Sequence, residues 1–191
     1  MKNKISTAAL AFTIVLTTMA FTTKEEKKPV KTGESKVIWK GYKVTGSHEG
    51  TIQLKEGFLT FNGEKLTGGE VIVDMTSINT TDLKGEYKDK LDGHLRSDDF
   101  FGIEKYPTAK LTLKEVKSAG KNSYNATGEL TIKGKTHPVT FDISVYGSKA
   151  SATLKVDRTK YDVRYGSGSF FDNLGDKTIY DEFDLVVDLQ F

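Results

Sequence analysis

Most of this chain alternates apolar and polar residues with period 2. No other feature constrains the fold as strongly, because successive side chains of a strand point to opposite faces. Ala109, Leu111 and Leu113 alternate with Lys110, Thr112 and Lys114. Tyr124, Ala126, Gly128, Leu130 and Ile132 alternate with Asn125, Thr127, Glu129 and Thr131. The pattern repeats at Val139, Phe141, Ile143 and Val145, at Ala150, Ala152, Leu154 and Val156, and at Phe183, Leu185, Val187, Leu189 and Phe191. Upstream, Val37 to Val44 opens a strand and Thr51 to Leu54 another. Glu56-Gly57 reads as a turn before Phe58 to Phe61, and Val71, Val73 and Met75 mark the next strand. Eight or nine strands, each with one apolar face, predict an all-β fold: an antiparallel sheet closed into a barrel. Closure removes the exposed edges of such a sheet. Small residues on the apolar faces, such as Ala109, Ala126, Ala150 and Ala152, leave room inside.

The N-terminus reads differently. Lys2 and Lys4 precede the apolar run Ala8 to Leu16, and Thr18-Met19-Ala20 offers small residues for cleavage. Residues 1–23 are therefore expected to be an export signal, too short and too interrupted by threonine to span a bilayer. Residues 24–35, beginning Lys24-Glu25-Glu26-Lys27-Lys28-Pro29, read as a flexible charged linker, and 36–191 as the barrel domain. Periplasmic or secreted localisation follows as an expectation. Removing two lysines with the signal leaves 26 basic and 26 acidic side chains, which gives no support to nucleic-acid binding. The absence of cysteine excludes disulfides, thiol chemistry and a lipid anchor on cysteine.

Motifs for chemistry are weak. His48, His94 and His137 are scattered, so no metal site is expected. Gly134-Lys135-Thr136 resembles the end of a phosphate loop but lies in a strand–turn–strand context. Gly166-Ser167-Gly168-Ser169 puts serine in the wrong place for a nucleophile elbow. Asp98-Asp99 and Asp181-Glu182 are adjacent acids, which in loops are usually solvated or cap a helix; Asp98-Asp99 follows Ser97 as a cap would. The expectation is no catalytic residue and no cofactor. A small outer-membrane barrel, or less favourably a lipid hydrolase, stands as the alternative. The first is disfavoured by Lys, Glu and Asp on the polar faces and by missing aromatic girdles.

Two stretches break the alternation, near residues 77–107 and 157–181. Both carry a Phe-Phe pair and both belong at barrel ends. In the first, Leu83, Tyr87 and Leu91 share one face of a short helix, a lid that Gly93 would end. The stretch Gly93-His94-Leu95-Arg96-Ser97-Asp98-Asp99-Phe100-Phe101, with Tyr106-Pro107 after it, closely resembles the signature of the YceI-like family. Gly128 to Gly134 with Pro138-Val139, Asp157 to Tyr161 and the strand Ile179 to Phe191 are similar to the family as well.

The resemblance implies an extended eight-stranded antiparallel β-barrel, lipocalin-like, that holds a polyisoprenoid or similar apolar lipid. Apolar side chains then line the interior: Phe61, Val71, Val73, Leu95, Leu111, Leu113, Tyr124, Ala126, Leu130, Phe141, Ile143, Ala152, Leu154 and Phe183. Phe100 and Phe101 close one end, as plug or gate. His94, Arg96 and Arg158 are candidates for a polar or anionic headgroup. The expected partner is a small apolar lipid, with no nucleic acid and no stable membrane insertion once the signal is gone; a homodimer is compatible with the sequence.

Overall fold

The computed structural model describes residues 24–191. The expected export signal lies outside the described residues. In chain order the elements are β1 (Glu26–Pro29), β2 (Lys36–Lys43), β3 (Gly46–Asn62), β4 (Lys65–Thr80), α1 (Gly85–Arg96), β5 (Thr108–Gly120), β6 (Ser123–Ile132), β7 (Lys135–Tyr146), β8 (Lys149–Asp157) and β9 (Ile179–Gln190). Neighbours pair antiparallel in the ring β3-β2-β9-β8-β7-β6-β5-β4, and pairing of β3 with β4 closes an eight-stranded barrel. The up-and-down order puts the β2–β3 turn, the connection through α1, the β6–β7 turn and the β8–β9 loop at one end, here the upper end. The remaining turns and the described part of the N-terminal region sit at the lower end.

Alternation does what the sequence requires. On β6, Tyr124, Ala126, Leu130 and Ile132 are buried while Asn125 and Glu129 are exposed. The outer wall is laced by polar cross-strand pairs: Asn125 to Asp142 (3.0 Å), Thr127 with Thr140 (3.1 Å) and Thr131 with Thr136 (2.8 Å). A membrane barrel needs an apolar band on that wall. The outer-membrane alternative therefore fails on the placement of these side chains.

Three expectations need correction. Glu56-Gly57 is not a turn: β3 runs straight through it, with a register shift against β4 between Leu54 and Glu56. Glycine suits the site because a Cβ on Gly57 would lie 2.9 Å from the Glu70 carbonyl oxygen. The second correction concerns residues 24–35. Within them, Glu26–Pro29 pairs with Phe58–Phe61 of β3, Val30 N–H donates to Gly57 (2.9 Å) and Lys31 N–H to Gln190 (2.7 Å). This charged segment is paired because β2 ends its pairing with β3 at Ile52 and leaves the lower half of β3 an open edge. Backbone groups on such an edge take any available partner.

The third correction is the lid. Its helix continues past Gly93 to Arg96, and Tyr87 stands exposed. Leu83 precedes α1, and the inward face is carried by Leu91 and Leu95, one turn apart, together with buried Asp92. Asp92 sets the rotation: its carboxylate accepts the Thr80 backbone N–H at 2.8 Å and pairs with Lys88. Ser97 follows the helix as its C-cap, its Oγ donating to the His94 carbonyl at 2.8 Å, and does not begin a new one.

Candidate functional site: an apolar cavity under a two-part cap

The barrel is not packed solid. A cavity of about 350 Å³ lies within it, in the range of small-molecule sites. Its walls carry Val71 and Val73 of β4, Leu111 and Leu113 of β5, Leu130 of β6, Phe141 and Ile143 of β7, Ala152 and Leu154 of β8, and Phe183 of β9. Leu95, Phe100 and Phe101 line it from the connection through α1. These positions match the expected lining. Ala150, Leu185, Val187 and Leu189 also line it, as do Val37 and Trp39 of β2 and Met75 and Ile78 of β4. The signal for most of them was present, since each but Ile78 is in phase with an expected lining residue of its own or a neighbouring strand; Ile78 lies beyond a register shift between β3 and β4.

Three expected lining residues do not reach the cavity. Phe61, Tyr124 and Ala126 belong to the lower end, where they pack into the core. The Phe61 ring packs on Phe191 with centroids 5.3 Å apart, and Ala126 has no exposed surface. Tyr124 turns its hydroxyl to the Leu66 N–H at 3.4 Å. Lys28 holds its ammonium 4.8 Å from the Phe61 ring centre, covering the plug with a cation. Period-2 alternation identifies the inward face of a strand but carries no information about height along the barrel axis.

The upper end is capped by two pieces. Phe100 and Phe101 are both buried and edge-to-face at 5.4 Å, and Phe101 meets Phe183 of β9 at 6.4 Å. His94 stands edge-on between Phe100 (5.2 Å) and Tyr165 of the β8–β9 loop (4.3 Å), and it lines the cavity. Lys133 ties the pieces together. Its ammonium donates to the Asp98 carbonyl (2.7 Å) and the Asp162 carbonyl (3.4 Å). Lys133 and Gly134 both have positive φ, 50° and 72°, the backbone of a two-residue hairpin turn. A Cβ on Gly134 would lie 3.0 Å from the Tyr106 ring, so the turn seats the Tyr106-Pro107 corner. Sequence reading missed Lys133 because its partners are 35 and 29 residues away.

The headgroup candidates separate. Arg158 lines the cavity but is buried, with donors already engaged: Nε to the Tyr180 carbonyl (3.0 Å), Nη1 to Val163 (2.7 Å) and Nη2 to Ile179 (3.0 Å). Burial pushes its pKa down, opposed by Asp181, 3.6 Å from Nη2, and by Asp157. Its guanidinium lies 5.6 Å from the Phe100 ring centre, so one residue braces both cap pieces. Arg96 does not line the cavity. It donates from Nη2 to the Ile78 carbonyl at 2.8 Å and clasps α1 to β4. His94 remains at the cavity surface. Next to the mouth, Tyr42 donates to Asp184 at 2.6 Å, and Tyr180 and Glu182 reach both the cavity and the surface. The hydrogen bond from Tyr42, with help from Lys155, outweighs desolvation and holds the Asp184 carboxyl below its ordinary value.

The groups weighed for chemistry lie apart. His48 pairs with Asp82 at 2.9 Å, and His137 packs edge-on to Tyr161 at 5.3 Å. Tyr161 is deeply buried, and burial pushes its hydroxyl up to about 12. Asp98 pairs with Lys105 at 2.8 Å on the surface. Ser167 is buried and its Oγ accepts the Ser169 N–H at 3.2 Å.

A small antiparallel barrel closed around an apolar cavity, plugged below and capped above, is the lipocalin-like class of fold. The YceI-like domain model matches residues 28–191. A UPF0312 protein of Pseudomonas putida (strain W619) is 32% identical over 145 residues, 73% of this chain and 72% of that one. Protein YceI of Escherichia coli O157:H7 is 37% identical over 98 residues, 51% of this chain and 49% of that one. Two solved structures share the fold. BcnA of Burkholderia cenocepacia matches with TM-score 0.63 at 24% identity, over 84% of this chain and 98% of that one. A polyisoprenoid binding domain from Saccharophagus degradans matches with TM-score 0.60 at 15% identity, over 85% and 97%. This chain belongs to the YceI-like family.

Proposed function

We propose that this protein is an exported, soluble binder of a polyisoprenoid or similar long-chain apolar lipid, which it holds in the barrel as cargo and does not turn over. The observation that carries the reading is the apolar cavity of about 350 Å³ lined by side chains from β2 through β9. Hydrocarbon entering it gains ~0.8 kcal/mol for each methylene removed from water, before the costs of ordering. The reading is supported by the family and by the relative described as a polyisoprenoid binding domain. Two of the polar side chains at the cavity are committed elsewhere, Arg158 to three carbonyls and Tyr42 to Asp184, which suits a site that selects for an apolar chain.

The test is mass spectrometry of an organic extract from the protein expressed in bacteria with residues 1–23 in place, exported, and purified without detergent. A long apolar molecule at near-stoichiometric amount is expected. A protein that emerges empty and takes up no lipid from vesicles would overturn the reading. Intact mass of the exported chain tests removal of the first ~20 residues.

A further inference from the structure

Exposed apolar side chains are distributed unevenly. Six of the eight large ones among the described residues belong to the upper end: Val44, Tyr87, Tyr165, Phe170, Phe171 and Tyr180. The other two, Tyr146 and Val186, stand singly, as is normal on any surface. The contrast between the two Phe-Phe pairs is sharper. Phe100 and Phe101 are buried in the cap, whereas Phe170 and Phe171 are 46% and 51% exposed.

These side chains are joined to the cavity mouth by short links. Val44 N–H donates to the Thr178 carbonyl (3.1 Å), and Ile179 N–H to the Gly166 carbonyl (2.8 Å). Tyr165 touches His94, and His94, Ile179 and Tyr180 all line the cavity. The patch therefore rims the opening. Phe170 carries the Arg164 guanidinium 4.7 Å above its ring, and Arg164 Nε pairs with Asp162 at 3.1 Å, which holds the cation beside the apolar surface.

We propose that this rim docks on a lipid bilayer, with Val44, Tyr165, Phe170, Phe171 and Tyr180 entering the headgroup region so that the cavity mouth faces the membrane. The inference rests on the lipid-binding reading of the cavity. A long apolar chain passed through water exposes every methylene, and a mouth seated on the bilayer avoids that exposure. Phe and Tyr on a protruding loop are the residues that favour the interface between headgroups and tails. A second copy of the chain fits the rim less well, because mouth-to-mouth pairing would seal the cargo in. The 26 basic and 26 acidic side chains beyond residue 23 balance, so docking is apolar, occurs on neutral lipid and persists at high salt.

The experiment is flotation of residues 24–191 with phosphatidylcholine vesicles at low and high salt, alongside total lipid content by mass spectrometry. The wild type floats at both salt concentrations. F170S/F171S binds about tenfold less or weaker still with an unchanged unfolding midpoint, and Tyr146→Ser at the opposite end floats as wild type. Phe171→Trp supplies a positive signal that needs no loss of fold: its emission shifts blue on adding vesicles and is quenched by brominated lipid. A lipid-loaded wild type that stays at the bottom of the gradient overturns docking and leaves the cavity reading intact. Protein that floats through these rings yet never takes up lipid supports docking and removes the cargo. Vesicle binding unchanged in F170S/F171S, or a change from dimer to monomer in its place, overturns the proposal.

Discussion

The two ends of this barrel are built from the same kinds of residue and behave oppositely. Below, Phe61, Leu66 and Tyr124 are buried, Phe61 packs on Phe191, and β1 with Lys28 covers them. Above, Phe100, Phe101, His94 and Leu95 roof an empty volume and are held by long side chains, Arg158, Arg96 and Lys133, that bond to backbone carbonyls. The difference is one of attachment. The lower aromatics project from or close against the strands themselves, while the upper ones ride on connections that reach the wall through a few polar clasps. An end of the second kind can open at a cost of a few hydrogen bonds, whereas opening the first means losing its close packing.

Matched substitutions break this comparison most directly. Ala152→Trp puts a large ring into the cavity wall, and lipid loading measured by mass spectrometry should vanish while the fold survives. Ala126→Trp, at a site with no free surface, should instead overpack the lower end at ~1–3 kcal/mol or more, leaving folded molecules loaded. Equal lipid loading in both variants would show that the cavity is not where the ligand sits.

Truncations come next. Phe61→Ala should lower stability by ~3–5 kcal/mol in chemical denaturation, the usual loss for a packed aromatic. Phe101→Ala should cost less, because it partly faces space, and should speed lipid exchange. Arg158→Met should cost ~3 kcal/mol, since it orphans the carbonyls of Val163, Ile179 and Tyr180. Its effect on lipid retention should exceed that of Arg96→Met, which breaks one clasp between α1 and β4.

Acid should loosen the upper end. Burial raises the Asp92 carboxyl, but Lys88 and the bonds from Thr80 outweigh it and hold the group below its ordinary value. A depressed carboxylate stabilises the fold above its unfolded pKa of ~3.9 and loses that contribution as pH falls through the folded value. Amide exchange in α1 should therefore accelerate below pH ~4, and Asp92→Asn should flatten that dependence. The smallest effect belongs to Lys133→Met. Loss of its two carbonyl contacts should cost ~0.5 kcal/mol yet measurably speed lipid release, because it joins the two halves of the cap.

Much of this architecture was legible from local pattern. Alternation in β5 to β9 placed Leu111, Leu130, Phe141, Leu154 and Phe183 inside, and the two long connections were recognisable as breaks in that pattern. What stayed hidden was anything fixed by distant partners. Residues 26–29 look like a charged linker and become β1 only because β3 outruns β2. On α1 the spacing held for Leu91, but the bond of Asp92 to Thr80 across the connection, and the exposure of Tyr87, were not legible. Arg96 and Arg158 read as free cations until backbone carbonyls claim them. Strand periodicity is a local property, set by which side of the pleat a residue occupies, so sequence alone determined the barrel and its inward face. Height along the barrel axis depends on register and on which chain ends cover which opening. Only the tertiary structure therefore decided that Phe61 and Ala126 form a plug, that Ala152 and Phe183 wall a cavity, and that of two Phe-Phe pairs one is roof and the other rim.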